Sequence, residues 1–373
     1  MNFNHINTPA SCLKPSVQAS FSKTHTQIAK GSAILLMVFH HLFAVPGRFG
    51  PYTPVLVFNG INIEYTIAVF GKICVGIFLF LSGFGLYHSL ISQPSLGKMY
   101  LKAWNKLLRI MINYWTILAF VFPIGLCLGF FSLDLHTVVG VITGLYPKVW
   151  EWWFLCQYVV LIMISPLIVL TCTKAAKNKA AGVAGLLAVY GVYFIAVSRQ
   201  YDSIAVNFAL AYMSYLTKWN CAVIFALGVY AAHSGACRLF VYGSHSATRA
   251  VNTVILILTI ALRMLVAKDA ASMKMDYIFA PLFVFSLTTV VYGTGFEKVL
   301  TFFARHSTNI WLTHTFWCYY FAPKIVCIPK YSLLIYIWLL VLSLGSSCVI
   351  NSALSIVYKA GERLRSLKLF SGI

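Results

Sequence analysis

Residues 28–45 read IAKGSAILLMVFHHLFAV, an apolar run whose only ionisable members are Lys30 and the adjacent His40 and His41. A run of about 18 or more residues with so few charges is long enough to cross the hydrocarbon of a bilayer as a helix. The 26 residues before it are polar, rich in Asn, Thr, Ser and His, and no small-residue cleavage site follows it, so it reads as a span rather than a signal peptide. Working outward, similar runs recur at about 66–91, 107–131, 152–172, 180–198, 219–234, 251–267, 277–294, 307–327 and 332–357. The expected architecture is all-α and polytopic, with about ten transmembrane helices. Residues 1–26 read as a flexible cytoplasmic tail, 27–358 as one membrane domain, and 359–373 as a basic cytoplasmic tail.

Composition demands the same class. Of 373 residues, 60% are hydrophobic and 10% charged, and mean hydropathy is +0.83, whereas soluble domains carry about 25% charged residues. A water-soluble enzyme is excluded, because so little polar surface cannot cover a fold of this size. The formal net charge of +20 would suggest nucleic acid in a soluble chain. Here the bases cluster between apolar runs, so no nucleic acid partner is expected. With the amino terminus in the cytoplasm, 18 of the 28 Lys and Arg fall inside and nine outside, with Lys72 within the second span. That is the bias of the positive-inside rule; both termini are then cytoplasmic, in a multi-pass cell-membrane protein. The ten cysteines include no CxxC pair and mostly sit in apolar runs as small hydrophobes.

Ionisable residues inside a span are expensive, so they are functional candidates by default. Eleven positions separate Lys30 from His41, a rotation that returns to within ~20° of the same helix face after a rise of ~16 Å. One stripe therefore carries a cation at the cytoplasmic interface and an imidazole deep in the bilayer, while His40 is turned about 100° away. Such a stripe suits a cytosolic thioester donor: Lys30 holds phosphate, the pantetheine arm runs up the helix, and His41 acts as general base on an acceptor hydroxyl. The plainer alternative is that Lys30 snorkels and His41 caps a neighbouring backbone group.

The segment KGSAILLMVFHH, from Lys30 to His41, resembles the opening motif of the acyltransferase 3 family, membrane-embedded transferases that O-acetylate cell-surface glycans. KICVGIFLFLSGFGLY, Lys72 to Tyr87, is similar to the family's second-span run ending in Ser-Gly-Phe, here Ser82, Gly83 and Phe84. Lys106, Arg109, Ile110, Tyr114 and Trp115 match its basic third-span motif. Residues 150–168 resemble its Trp-Phe-Leu and Ser-Pro elements, and Arg305 to Trp317 its late element with Ser307 and His314 in place. The resemblance implies acetyl-CoA or a similar short acyl-CoA as donor, no metal, and a surface polysaccharide or its lipid-linked precursor as acceptor. Membrane lipids are the other expected partners, with a homo-oligomer left open.

On that reading the candidate catalytic residues are His41, Glu151 and His314, and the candidate donor-binding residues are Lys30, Lys106, Arg109, Arg305 and Ser307. The sequence departs from the family where Asp is frequent in the second span, at Gly76, so the group orienting His41 is unassigned; Glu151 is a substitute if it is not simply an interfacial belt residue. Ile112 stands where proline is frequent in the third span. An extracytoplasmic esterase-like domain that some relatives carry is expected to come from another protein. Arg263 reads as an outer-half arginine that snorkels or touches a glycan. Two other classes stay open: a transporter of a solute or lipid-linked sugar, against which the lack of repeated halves counts, and a membrane scaffold without turnover.

Overall fold

A computed structural model describes residues 21–144, 148–175, 219–239, 246–266, 273 and 275–370. Helices occupy all or part of every expected stretch except 180–198, which lies outside the described residues. The helices are α1 (Lys23–Phe43), α2 (Ile63–Gly71), α3 (Cys74–Leu90), α4 (Leu96–Cys127), α5 (Leu135–Thr143), α6 (Trp153–Ala175), α7 (Trp219–Ser234), α8 (Ser246–Val266), α9 (Asp276–Val291), α10 (Gly295–Thr315), α11 (Pro323–Val326) and α12 (Ser332–Phe370). A two-residue hairpin, β1 (Val57–Phe58) with β2 (Ile61–Asn62), interrupts the loop after α1.

Among the described residues, five segments are long and apolar enough to cross a membrane: 63–90, 96–127, 150–173, 247–266 and 332–361. Residues 221–234 and 276–291 are apolar but shorter. The long segments carry exposed apolar side chains. On α8, Val251, Val254, Leu258, Leu262 and Leu265 stand exposed at helical spacing, a stripe that would be buried in a soluble fold.

Three boundaries differ from the sequence reading. The expected tail to residue 26 is cut short, because α1 starts at Lys23: the Ser22 hydroxyl accepts from the His25 amide, and the His25 ring accepts from the Ser22 amide. This is a capping box with histidine in the usual Glu or Gln place. The stretch expected at 307–327 is helical from Gly295, runs through a π-helical turn at Phe316–Tyr320, and breaks at Ala322 before Pro323. Proline disfavours helical geometry at the preceding residue, and Ala322 sits at φ −142°, ψ 44°. At the other end, α12 continues as helix to Phe370 through most of the expected basic tail.

Glycines let the helices approach to backbone contact, as membrane helices require in the absence of a hydrophobic drive between them. A Cβ on Gly31 of α1 would lie 1.9 Å from the Leu300 carbonyl oxygen of α10. On α3 and α7, Gly83 faces the Phe225 carbonyl and Gly228 faces the Phe80 carbonyl, each at about 2 Å from a built Cβ. Side-chain amides add to the packing: Asn309 of α10 accepts from Asn113 of α4 at 2.9 Å and donates to Asn351 of α12 at 2.8 Å. Because Gly31 meets Leu300 and His41 meets His314, α1 and α10 run parallel.

Candidate active site

Helix α1 presents Lys30 and His41 to one cavity of about 900 Å³, counted with its solvent-open part. The helical-stripe expectation thus has a structural counterpart, since both residues line the same space. His40 was expected to face elsewhere. His40 lines the cavity too, but its Nδ1 donates to the Ala68 carbonyl at 2.8 Å, so that nitrogen is committed to the α1–α2 packing.

His314, on parallel α10, is fully buried behind His41. His41 Nδ1 and His314 Nε2 are 2.6 Å apart, with the ring planes 14° from parallel. The other nitrogen of His314, Nδ1, lies 2.8 Å from the Ile310 carbonyl and 3.0 Å from that of Trp311. Carbonyls only accept, so Nδ1 of His314 carries the hydrogen, and in the neutral ring Nε2 holds a lone pair. That lone pair accepts from His41 Nδ1–H, which leaves Nε2 of His41 unprotonated. The carbonyls at the end of α10 thereby fix the tautomers of both rings, and the second ring orients the first as a carboxylate does in a catalytic triad.

This arrangement supplies the orienting group that the sequence left unassigned, from a different direction than expected. A side chain at position 76 would meet Ala280 at 3.0 Å and the Asp276 Cβ at 3.4 Å, on α9. Asp276 itself pairs with Arg263, Nε to Oδ1 at 2.7 Å and Nη2 to Oδ2 at 3.1 Å, both residues being wholly buried. Arg263 therefore does not snorkel or reach a glycan: wholly buried, it also holds the Phe70 carbonyl through Nη1 at 2.9 Å.

At the far end of the cavity Glu151 is 4% exposed, so it is not a belt residue at the interface. It pairs with Arg48 from the loop after α1 and accepts from the Tyr320 hydroxyl at 2.6 Å. The Arg48 guanidinium lies 4.0 Å above the Tyr319 ring, and the Tyr319 hydroxyl donates to the His41 carbonyl. Partial burial works against the charge on Arg48, but the Tyr319 and Glu151 oxygens outweigh it and raise its affinity for its proton. The π-helical turn at 316–320 is what presents both tyrosines to this cluster; such turns re-aim side chains within a helix.

At the Lys30 end, Ser307 lines the cavity while its hydroxyl donates to the Ala304 carbonyl at 2.8 Å. Lys106 on α4 is within electrostatic reach of Lys30. Arg109 and Arg305 are exposed and lie outside the cavity lining; Arg305 sits 5.9 Å over the Phe302 ring. Trp153, Phe154 and Trp311 form apolar walls between the ends. Arg48, Lys72, Tyr319 and Tyr320 are site residues that sequence reading did not single out. For Lys72 the available signal was a charge inside an apolar run.

Long apolar helices with exposed apolar faces, around a cavity lined by lysine, histidine and glutamate side chains, are those of a membrane protein. The chain belongs to the acyltransferase 3 family: the family model for this acyltransferase domain matches residues 27–352, most of the chain. No curated protein and no solved structure matches it. Acyl transfer is thus the general activity to which the cavity must answer.

Proposed function

We propose that the protein transfers an acetyl or other short acyl group from cytosolic acyl-CoA to a hydroxyl of a surface polysaccharide or its lipid-linked precursor. The observation that carries this reading is one cavity with Lys30 at one end, Glu151 at the other and the oriented His41 between them. A donor phosphate rests on Lys30 and Lys106, with Arg109 and Arg305 at the same level outside for the nucleotide end. The apolar walls take the pantetheine arm. Hydroxyl-rich sugars are commonly held by carboxylates, arginine and aromatic rings, and Glu151, Arg48, Tyr319 and Tyr320 offer that chemistry at the opposite mouth.

In direct transfer, Nε2 of His41 removes the acceptor hydroxyl proton as its oxygen attacks the thioester carbonyl. His314 stabilises the imidazolium through its Nε2 lone pair, and the proton passes to the departing thiolate sulfur. In the two-step route the same nitrogen attacks the thioester and carries the acyl group. His314 is a positioning residue in either case.

The adjacent histidines test the assignment. His41→Ala is expected to abolish acetyl esters on the glycan, since general-base assistance is worth roughly 10²–10⁴-fold. His40→Ala leaves the Ala68 carbonyl without its donor, at a cost of about 1–3 kcal/mol in stability, while retaining acetylation. Acetyl methyl signals in proton NMR of purified polysaccharide, normalised to variant levels in the membrane, read this directly. Normal signals in His41→Ala would overturn the assignment.

A further inference from the structure

The cavity holds a second cation, Lys72, whose setting is built by the fold. Helices α2 and α3 do not join smoothly. Between them the amides of Lys72, Ile73 and Val75 bond three residues back, to Val69, Phe70 and Lys72, in place of the four-residue ladder. Two of these acceptor carbonyls also take a bond from the Arg263 guanidinium, Phe70 at 2.9 Å and Val69 at 3.4 Å. With Asp276 neutralising Arg263, a buried ion pair braces the break from α8 and α9. Lys72, the residue at the break, lines the cavity, with its ammonium 5.5 Å from the centre of the Trp153 ring. Among the described residues its ammonium has neither an ion pair nor a hydrogen bond.

Its height in the bilayer separates it from Lys30. Gly71, one residue before, packs against the Leu36 carbonyl and the His40 Cβ. Lys72 is therefore level with the histidines, about 15 Å along α1 from Lys30, and within electrostatic reach of both His40 and His41. If Lys30 holds phosphate, the cation one pantetheine arm further on stands beside the thioester, where negative charge develops only in the transition state.

We propose that Lys72 is a catalytic residue whose ammonium binds the oxyanion formed on the acyl carbonyl, a role that rests on the acyl-CoA reading above. The acceptor oxygen bonds to the carbonyl carbon and its proton goes to Nε2 of His41. The carbonyl π pair moves onto oxygen, facing Lys72. On collapse that pair re-forms the carbonyl, the C–S bond breaks with its electrons on sulfur, and the His41 proton passes to the thiolate. A cation fixed where the negative charge develops favours the intermediate over the neutral thioester, so it acts on kcat rather than on donor binding.

The test uses membranes containing the full-length chain, radiolabelled acetyl-CoA as donor and the native membrane glycan as acceptor, with Lys72→Met, Lys72→Arg and Lys30→Ala beside wild type. Lys72→Met removes the charge at nearly constant volume, and exchanging a half-buried cation without an ion-pair partner for an apolar group does not cost folding stability. The expected result is a fall in kcat of about 10²–10³-fold with the KM for acetyl-CoA unchanged, an unaltered or higher melting temperature, and partial recovery in Lys72→Arg. Lys30→Ala is expected to show the opposite split, a raised KM. A raised KM with unchanged kcat in Lys72→Met would make Lys72 a donor-binding group and overturn the proposal, as would wild-type specific activity per folded molecule. Absence of label transfer by wild type itself overturns the acyl-CoA reading, and this proposal with it.

Discussion

The two histidines that meet at 2.6 Å come from residues 41 and 314, and their contact makes a prediction that neither ring alone would make. His314 offers His41 a lone pair, so its replacement should depend on whether the new side chain can accept. His314→Ala is expected to lower kcat by on the order of 10²–10⁴-fold, since His41 loses both its orientation and its tautomer. His314→Gln retains an amide oxygen that accepts from His41 Nδ1–H, so it should recover part of that loss. Steady-state rates for the two variants, corrected for folded protein, check this; equal rates for Ala and Gln would remove the tautomer account. Some of this was legible in sequence. The Lys30–His41 stripe followed from helical period alone, and both residues line one cavity. His314 could be named as a candidate but not as the partner of His41, because 273 positions separate them and only the packing of α1 on α10 closes that distance. The belt alternative for Glu151 and the snorkelling expected of Arg263 fail for a shared reason: each is a charge whose partner is remote or unremarkable in sequence, Arg48 for one and Asp276 for the other. Without a partner in view, the expected place for a charge is the membrane interface.

At the scale of elements, α1 and α10 act as one unit, and Gly31 sets their spacing. A methyl group at that position would stand 1.9 Å from the Leu300 carbonyl oxygen, so Gly31→Ala forces the helices apart. Overpacking of this kind costs about 1–3 kcal/mol, and the displacement reaches the histidine pair on the same two helices. The expected outcome is a lowered melting temperature together with reduced acyl transfer. Gly85 has no atom within 4 Å of a built Cβ, and Gly85→Ala should leave melting unchanged or slightly raised, because alanine is the better helix former. Thermal unfolding of the two variants in detergent distinguishes a glycine required by close approach from one that is not. Hydropathy found the helices but misjudged their ends, since caps such as Ser22 with His25, and breaks such as Ala322–Pro323, are set by hydrogen bonding and backbone geometry rather than apolar content.

For the whole molecule, the placement of donor and acceptor on opposite faces depends on orientation. The 18 to 9 division of Lys and Arg predicts reporter fusions after residues 60, 140 and 270 on the outer side and after 100, 177 and 368 on the inner side. Parallel α1 and α10 also require residues 22 and 294 to share a face. A cytoplasmic signal at residue 60 would put the Arg48–Glu151 mouth on the donor side and remove transfer across the membrane from the account. Membrane class and family were readable in the sequence because they rest on composition and on motifs spread from residue 30 to residue 317. The brace behind Lys72 was not, because it joins carbonyls at 69 and 70 to side chains at 263 and 276. The central claim, that acyl groups leave coenzyme A at His41, is met most directly by giving purified wild-type protein and its His41→Ala variant radiolabelled acetyl-CoA and following label as it leaves the thioester. The account predicts turnover in wild type and none above background in His41→Ala, with both proteins equally folded; equal turnover in the two would contradict it.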